Sequence, residues 1–77
     1  MTDRLIELFA EELDVAANEL DDASSPETVL TWDSLAAMHL VAAIEETFGI
    51  NLSTVEIMKM NSIGAAREVL TAKGVTF

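Results

Sequence analysis

At 77 residues the chain has room for one domain and one core, and its 51% hydrophobic content argues against wholesale disorder. Fourteen acids against four bases give a formal net charge of −10, a surface that repels nucleic-acid phosphates and anionic membranes and favours partners with basic patches. Cysteine is absent, which excludes disulfides, thiolate–metal sites and cysteine nucleophiles, so any thiol chemistry must come from an added group.

The charge is uneven. Residues 1–33 hold ten acids against Arg4 alone, a balance of −9, whereas residues 34–77 balance at −1. The first residues show no basic region followed by an apolar stretch, so a cytoplasmic location without membrane insertion is expected. The longest apolar-rich stretch, Leu35 to Ile44, is interrupted by His39 and falls well short of the roughly 18 residues of a membrane span.

In chain order, Leu5, Ile6, Phe9 and Leu13 recur at helical spacing among Asp3, Glu7 and Glu11. They predict an amphipathic helix from about Thr2 or Asp3 to Leu13, with Thr2 as N-cap. Residues 14–33 read as a long ordered loop, with one helical turn starting at Pro26 after a Ser25 cap. Leu20, Val29, Leu30 and Trp32 are expected to pin it to the core. A central helix runs from Ser34 to Phe48 and stops at Gly49-Ile50. Ser53-Thr54-Val55-Glu56 matches a capping box opening a short helix to about Met60. Asn61 or Ser62 caps a last helix carrying Ile63, Ala66, Val69 and Leu70, closed by Gly74. The expected fold is all-α: a single domain over residues 1–77, a small antiparallel bundle of three main helices plus one short helix, with a long loop between the first two.

At about 100° per residue, Ala37, Leu40, Val41, Ile44 and Phe48 fall on one arc of the central helix, the stripe expected to face the core. Leu35, Met38, His39, Ala42, Glu45 and Glu46 fall on a roughly opposite arc, apolar near the helix start and acidic near its end. This suits a docking face, although Leu35 and Met38 could instead pack under the loop. His39 reads as a solvated residue, since no second His or Cys could join it on a metal. The small residues Ala37, Ala65 and Ala66 permit either close helix packing or some room between helices.

Ser34 stands at the start of the central helix, where orphan N–H groups and the helix dipole favour an anion. The plainer reading is that Asp33 or Ser34 is only an N-cap. An enzyme is disfavoured. Ser34 has no evident His–acid partnership, no Gly-rich loop could cradle phosphates, and no paired carboxylates accompany a base, so no catalytic residues and no metal site are assigned. Asp21-Asp22 also lacks the spacing of an EF-hand.

The run Trp32-Asp33-Ser34-Leu35, followed by Met38, Leu40, Val41, Ile44, Glu45-Glu46 and Phe48-Gly49-Ile50, resembles the phosphopantetheine-attachment region of acyl carrier proteins. The order and size of the elements resemble that family over the whole chain. The resemblance implies that a phosphopantetheinyl transferase esterifies Ser34 with 4'-phosphopantetheine from coenzyme A, with Asp33 assisting transferase docking. It further implies a monomer that holds acyl groups as thioesters on the arm. Leu35, Met38, His39, Ala42, Glu45 and Glu46 would then face acyl-loading and acyl-processing enzymes with basic docking patches.

Against carriers of fatty-acid synthesis, Ala36 and His39 occupy places where carboxylates are common, Ala42 is smaller than the usual methionine, and the short helix is poor in acids. These departures point to a specialised pathway such as polyketide, lipid-conjugate or extender-unit synthesis. Two alternatives stay open. An aminoacyl or peptidyl carrier usually has a Gly-Gly pair before the serine, where Thr31-Trp32-Asp33 stands here, and an acidic interaction module would bind through Leu35 and Met38 with no prosthetic group.

Overall fold

The computed structural model describes residues 3–77. It contains α1 (Arg4–Leu13), α2 (Ser34–Phe48), α3 (Thr54–Lys59) and α4 (Ile63–Ala72), with a 3-10 turn at Ala17–Glu19 and no strand among the described residues. The all-helical expectation is met.

The ends of the helices follow local chemistry. Asp3 caps α1, its Oδ1 accepting the Ile6 N–H at 3.0 Å, so the cap lies one residue later than the Thr2 expected, and Thr2 itself lies outside the described residues. The aspartate suits the position because its carboxylate also meets Arg67. Ser53 and Glu56 form the expected capping box of α3. Ser62 rather than Asn61 caps α4, accepting the Ala65 N–H at 3.0 Å. Gly49 ends α2 at φ 65°, a left-handed conformation that L side chains adopt at a steric penalty. α1 ends at Asp14 in the same region, φ 57°, a conformation that Asp tolerates better than most residues.

The core is built by Leu5, Ile6, Phe9 and Leu13 of α1, Leu40 and Ile44 of α2, and Ile63, Ala66 and Leu70 of α4. Leu20 and Trp32 enter it from the loop, and Trp32 meets Phe9 with ring centroids 5.2 Å apart. Two expectations are corrected here. Leu30 is 98% exposed and pins nothing, because the turn that carries it is held by its neighbours instead. Val41 is only half-buried and lies along a groove between α2 and α3. The short α3 has no buried residue and leaves that side open.

The loop between α1 and α2 is ordered throughout by specific bonds. Leaving Asp14, the chain makes the 3-10 turn that delivers Leu20 inward, with the Leu20 N–H donating to Ala17 at 3.1 Å. The turn from Pro26 forms as expected: Ser25 Oγ accepts the Glu27 N–H at 3.3 Å, and the Ser25 carbonyl accepts from Thr28 and Val29. Thr31 Oγ1 donates to the Leu13 carbonyl at 2.6 Å and ties the loop's end to the end of α1.

The loop also serves α4. Helix starts leave N–H groups without intrahelical partners. Here the Ile63 N–H donates to the Ser24 carbonyl at 3.0 Å and the Gly64 N–H to the Asp22 carbonyl at 2.9 Å. Ser24 is 93% buried, and its Oγ accepts the Asp21 N–H. On the same side, Arg67 pairs with Asp3 and Asp22, joining α1, the loop and α4.

Two predictions follow from this joint. A Cβ on Gly64 would lie 2.9 Å from the Asp22 carbonyl oxygen, a backbone atom that cannot swing aside. Alanine gains about 1 kcal/mol in helix propensity, but overpacking costs about 1–3 kcal/mol and here also disturbs two hydrogen bonds. Gly64→Ala is therefore expected to lower stability in urea denaturation, and an unchanged or raised midpoint refutes the close approach.

The second concerns pH. Burial works to raise the Asp3 carboxyl, but hydrogen bonds from Arg67 and the Ile6 N–H, with the guanidinium charge, outweigh it and hold the group below its ordinary value. Glu56 is held down likewise by the Ser53 N–H and by Lys73. A carboxyl whose folded pKa is depressed adds stability that is complete above its unfolded value and is lost as pH falls through the folded one. Asp3→Asn keeps the cap and loses the ion pair. At neutral pH it should cost under about 1 kcal/mol, the Asp3 side chain being 32% exposed and its pair screened. That gap should close below the ordinary aspartate value, roughly pH 4. A gap in urea midpoint that stays constant between neutral and acid pH would show that the pairing adds nothing.

Candidate functional site

Asp33 is the N-cap of α2: its Oδ1 accepts the Ala36 N–H at 2.9 Å, and its carbonyl accepts the Ala37 N–H. Ser34 is the first helical residue, exposed, and its hydroxyl takes no part in the cap. Of the two residues able to cap, the aspartate does so, and the serine hydroxyl is left at the tip of a 15-residue helix. The N–H groups of Ser34 and Leu35 belong to the same first turn, where intrahelical acceptors are lacking.

Trp32, two residues before Ser34, is 95% buried against Phe9, so the entry to α2 is anchored in the core while its tip faces out. A shallow open hollow of about 280 Å³ adjoins the serine, lined by Pro26, Trp32, Asp33, Ser34 and Ala37. Ala37 also lines a groove of about 300 Å³ formed with Met38, Val41 and Ile57, and a small space of about 40 Å³ bordered by Leu40 and Met60. The groove's lining side chains are all apolar, whereas Asp33 and Ser34 border the hollow at the helix tip. The small space takes no more than about one small group without movement of the helices.

On the outer arc of α2, Leu35 is 62% and Met38 69% exposed, so neither packs under the loop. His39, Ala42 and Glu46 are exposed too. Glu45 departs from the group: it is half-buried, and its Oε2 accepts the Leu52 N–H at 2.8 Å, fastening the connection between α2 and α3. Residues that the sequence did not single out extend the apolar surface from the facing helix, namely Val55 (62% exposed), Met58 (75%) and Ile57. Their clustering on a six-residue helix was the available signal, but a helix apolar on several sides does not declare which side stays open.

Among the described residues, no group of three His, Asp or Glu is placed to hold a metal ion, and no helix is long and apolar enough to cross a membrane. The arrangement offers an accessible hydroxyl on a rigid helix tip and an apolar groove. It offers no base at the hydroxyl: His39 lies on the exposed surface of α2, five residues on.

The chain matches the phosphopantetheine attachment site family over residues 3–70. It is similar to polyketide-8 synthase acyl carrier protein 2 of Streptomyces avermitilis, 31% identical over 71 residues that cover 92% of this chain and 82% of that protein. It is also similar to an acyl carrier protein of Syntrophus aciditrophicus, 29% identical over 77 residues, covering 100% of this chain and 96% of the other. By this match over most of its length, and in keeping with its all-helical fold, the chain belongs to the acyl carrier protein family, whose prosthetic group is phosphopantetheine.

Proposed function

We propose that this protein is a covalent shuttle and not a catalyst, with the phosphopantetheine arm attached through Ser34. The observation that carries this reading is the division of labour at the helix tip, where Asp33 caps α2 and leaves the Ser34 hydroxyl exposed. The arm's terminal thiol supplies the thioester chemistry that a cysteine-free chain lacks. The residues around it position and release. Trp32 fixes the helix start, the first-turn N–H groups would hold the phosphodiester, and the Asp33 carboxylate would oppose it by like charge. With the Asp33 carboxylate at the same helix tip, the phosphate would be held less firmly there than by the N–H groups alone, which would favour an arm that reaches out to partner enzymes. An attached apolar chain has a place to rest along Ala37, Met38, Val41 and Ile57.

Partner enzymes meet the exposed arc of Leu35, Met38, His39, Ala42 and Glu46, an apolar patch beside acids that suits brief contact with a basic surface. The Glu45 carboxylate, already bonded to Leu52, contributes charge at long range more than a direct contact. The transferase and the acyl-loading and acyl-processing enzymes are the partners of this reading. The pathway proposed is a specialised one, such as polyketide synthesis, supported by the name of the Streptomyces relative and by an α2 with no carboxylate before Glu45.

Intact mass after incubation with coenzyme A and a broad-specificity phosphopantetheinyl transferase tests the attachment. One phosphopantetheine is expected on the native chain and none on Ser34→Ala, whereas modification of the variant, or of neither protein, overturns the assignment. A general fatty-acid ketosynthase tests the pathway. Chain elongation on this carrier should be about tenfold less efficient than on the enzyme's own, and His39→Glu should recover about three- to fivefold, the worth of one exposed charge pair. Equal efficiency on the two carriers would remove the case for a specialised role.

A further inference from the structure

Leu30 is the most exposed of the large apolar side chains, at 98%. It is held in that state on a fixed turn: the Trp32 N–H donates to the Val29 carbonyl at 3.0 Å, Thr31 Oγ1 bonds Leu13, and Trp32 is buried immediately beyond. A leucine placed on a rigid turn and kept in water loses the stabilisation that burial would give it. Beside it, Val15, Leu20, Val29 and Leu30 line an open, mainly apolar hollow of about 330 Å³. A second hollow of about 300 Å³ adjoins it, sharing Glu19, Thr28 and Val29 and adding Asp21 and Ser24. An apolar hollow thus lies beside one bordered by the Glu19 and Asp21 carboxylates, and Asp21 Oδ1 there also accepts the Ala23 N–H at 2.9 Å.

The charge around this pair of hollows says what fits them. From residue 5 to residue 58 the sequence contains no Lys or Arg. Arg67 reaches Asp22 from α4, but Glu19 and Asp21 form no ion pair among the described residues. None of the residues lining these hollows also lines the hollow at Ser34 or the α2–α3 groove.

We infer that the loop before α2 carries a second docking surface, in which the Leu30 hollow receives an apolar side chain and Glu19 and Asp21 receive an adjacent Lys or Arg of a basic partner protein. It goes beyond the arm-bearing role of Ser34 and does not depend on it. A partner held here grips the carrier while the Ser34 tip and the α2–α3 groove stay open. Apolar contact supplies the residence, and charge supplies steering that salt weakens.

The test uses the full unmodified chain and, as probe, a synthetic amphipathic helical peptide with one Leu face and one Lys face, followed by amide NMR shifts. Saturable, salt-sensitive shifts are expected at Val15, Leu20 and Thr28–Thr31. Leu30→Asn should weaken binding at least about fivefold and Glu19→Gln about two- to threefold, while Leu35→Asn leaves these shifts in place. Leu30 is fully exposed, so its replacement leaves the fold intact, which the unchanged remainder of the spectrum verifies. The proposal is overturned by shifts confined to the exposed arc of α2, by binding unchanged in Leu30→Asn, or by equal binding of a peptide with Gln in place of Lys. Shifts at the same residues that grow with protein concentration and need no peptide also overturn it, since a second copy then covers the surface. None of these failures bears on the modification of Ser34, which is read by mass.

Discussion

The position of the site depends on the burial of Trp32 against Phe9. On the proposed reading Ser34 has to stand at a defined point on a rigid element, yet it follows a twenty-residue connection with little regular structure. Burying one large aromatic two residues before the serine solves this, because an indole contributes a few kcal/mol of apolar burial at a single position. Thr31 adds a bond to the end of α1, and Asp33 begins the helix at once. The tip of α2 is therefore set from behind by the core, and its outward side stays free for chemistry.

The few cations are distributed to hold the acidic chain together. Arg67 joins Asp3 of α1 and Asp22 of the loop, and its guanidinium carbon lies 5.3 Å from the centre of the Phe77 ring. Phe77 meets Phe48 edge-on at 5.7 Å, and Arg4 lies over Phe48 at 5.1 Å. Lys73 bridges from the end of α4 to Glu56 in α3. Arg4, Arg67 and Lys73 thus work at joints between elements, and the long acidic stretch before α2 has no base of its own with which to neutralise itself. Such a surface disfavours self-association and favours basic partners. α3 itself has no buried residue and borders an apolar groove.

The local signals were legible because each is complete within a few residues. The capping box at Ser53–Glu56, the left-handed Gly49 and the turn after Ser25 depend on backbone groups a few positions away, and the structure forms them as read; of Asn61 and Ser62, both open in the sequence, Ser62 is the cap. The first cap falls on Asp3, one residue after the Thr2 that the sequence equally allows, and a contact with Arg67, 64 residues on, favours the aspartate. The apolar arc of α2 was likewise legible as a pattern, but not how deeply each member is buried. Val41 remains at a groove because α3 is too short to cover it, and Glu45 bends to Leu52 because the next loop passes within reach.

Leu30 shows the same limit in sharper form. By composition it belongs with Leu20 and Trp32, and no local rule distinguishes the three. The sequence by itself determined to within about a residue where the main helices begin and end, that one hydroxyl follows an aspartate at the start of the central helix, and that acids dominate the first half of the chain. Tertiary structure decided which apolar residues stay in water and where open surfaces lie. The physical reason is that capping and periodicity are satisfied within one or two turns, whereas burial is a competition among segments for a limited interior. Its outcome is settled only when the whole chain has packed.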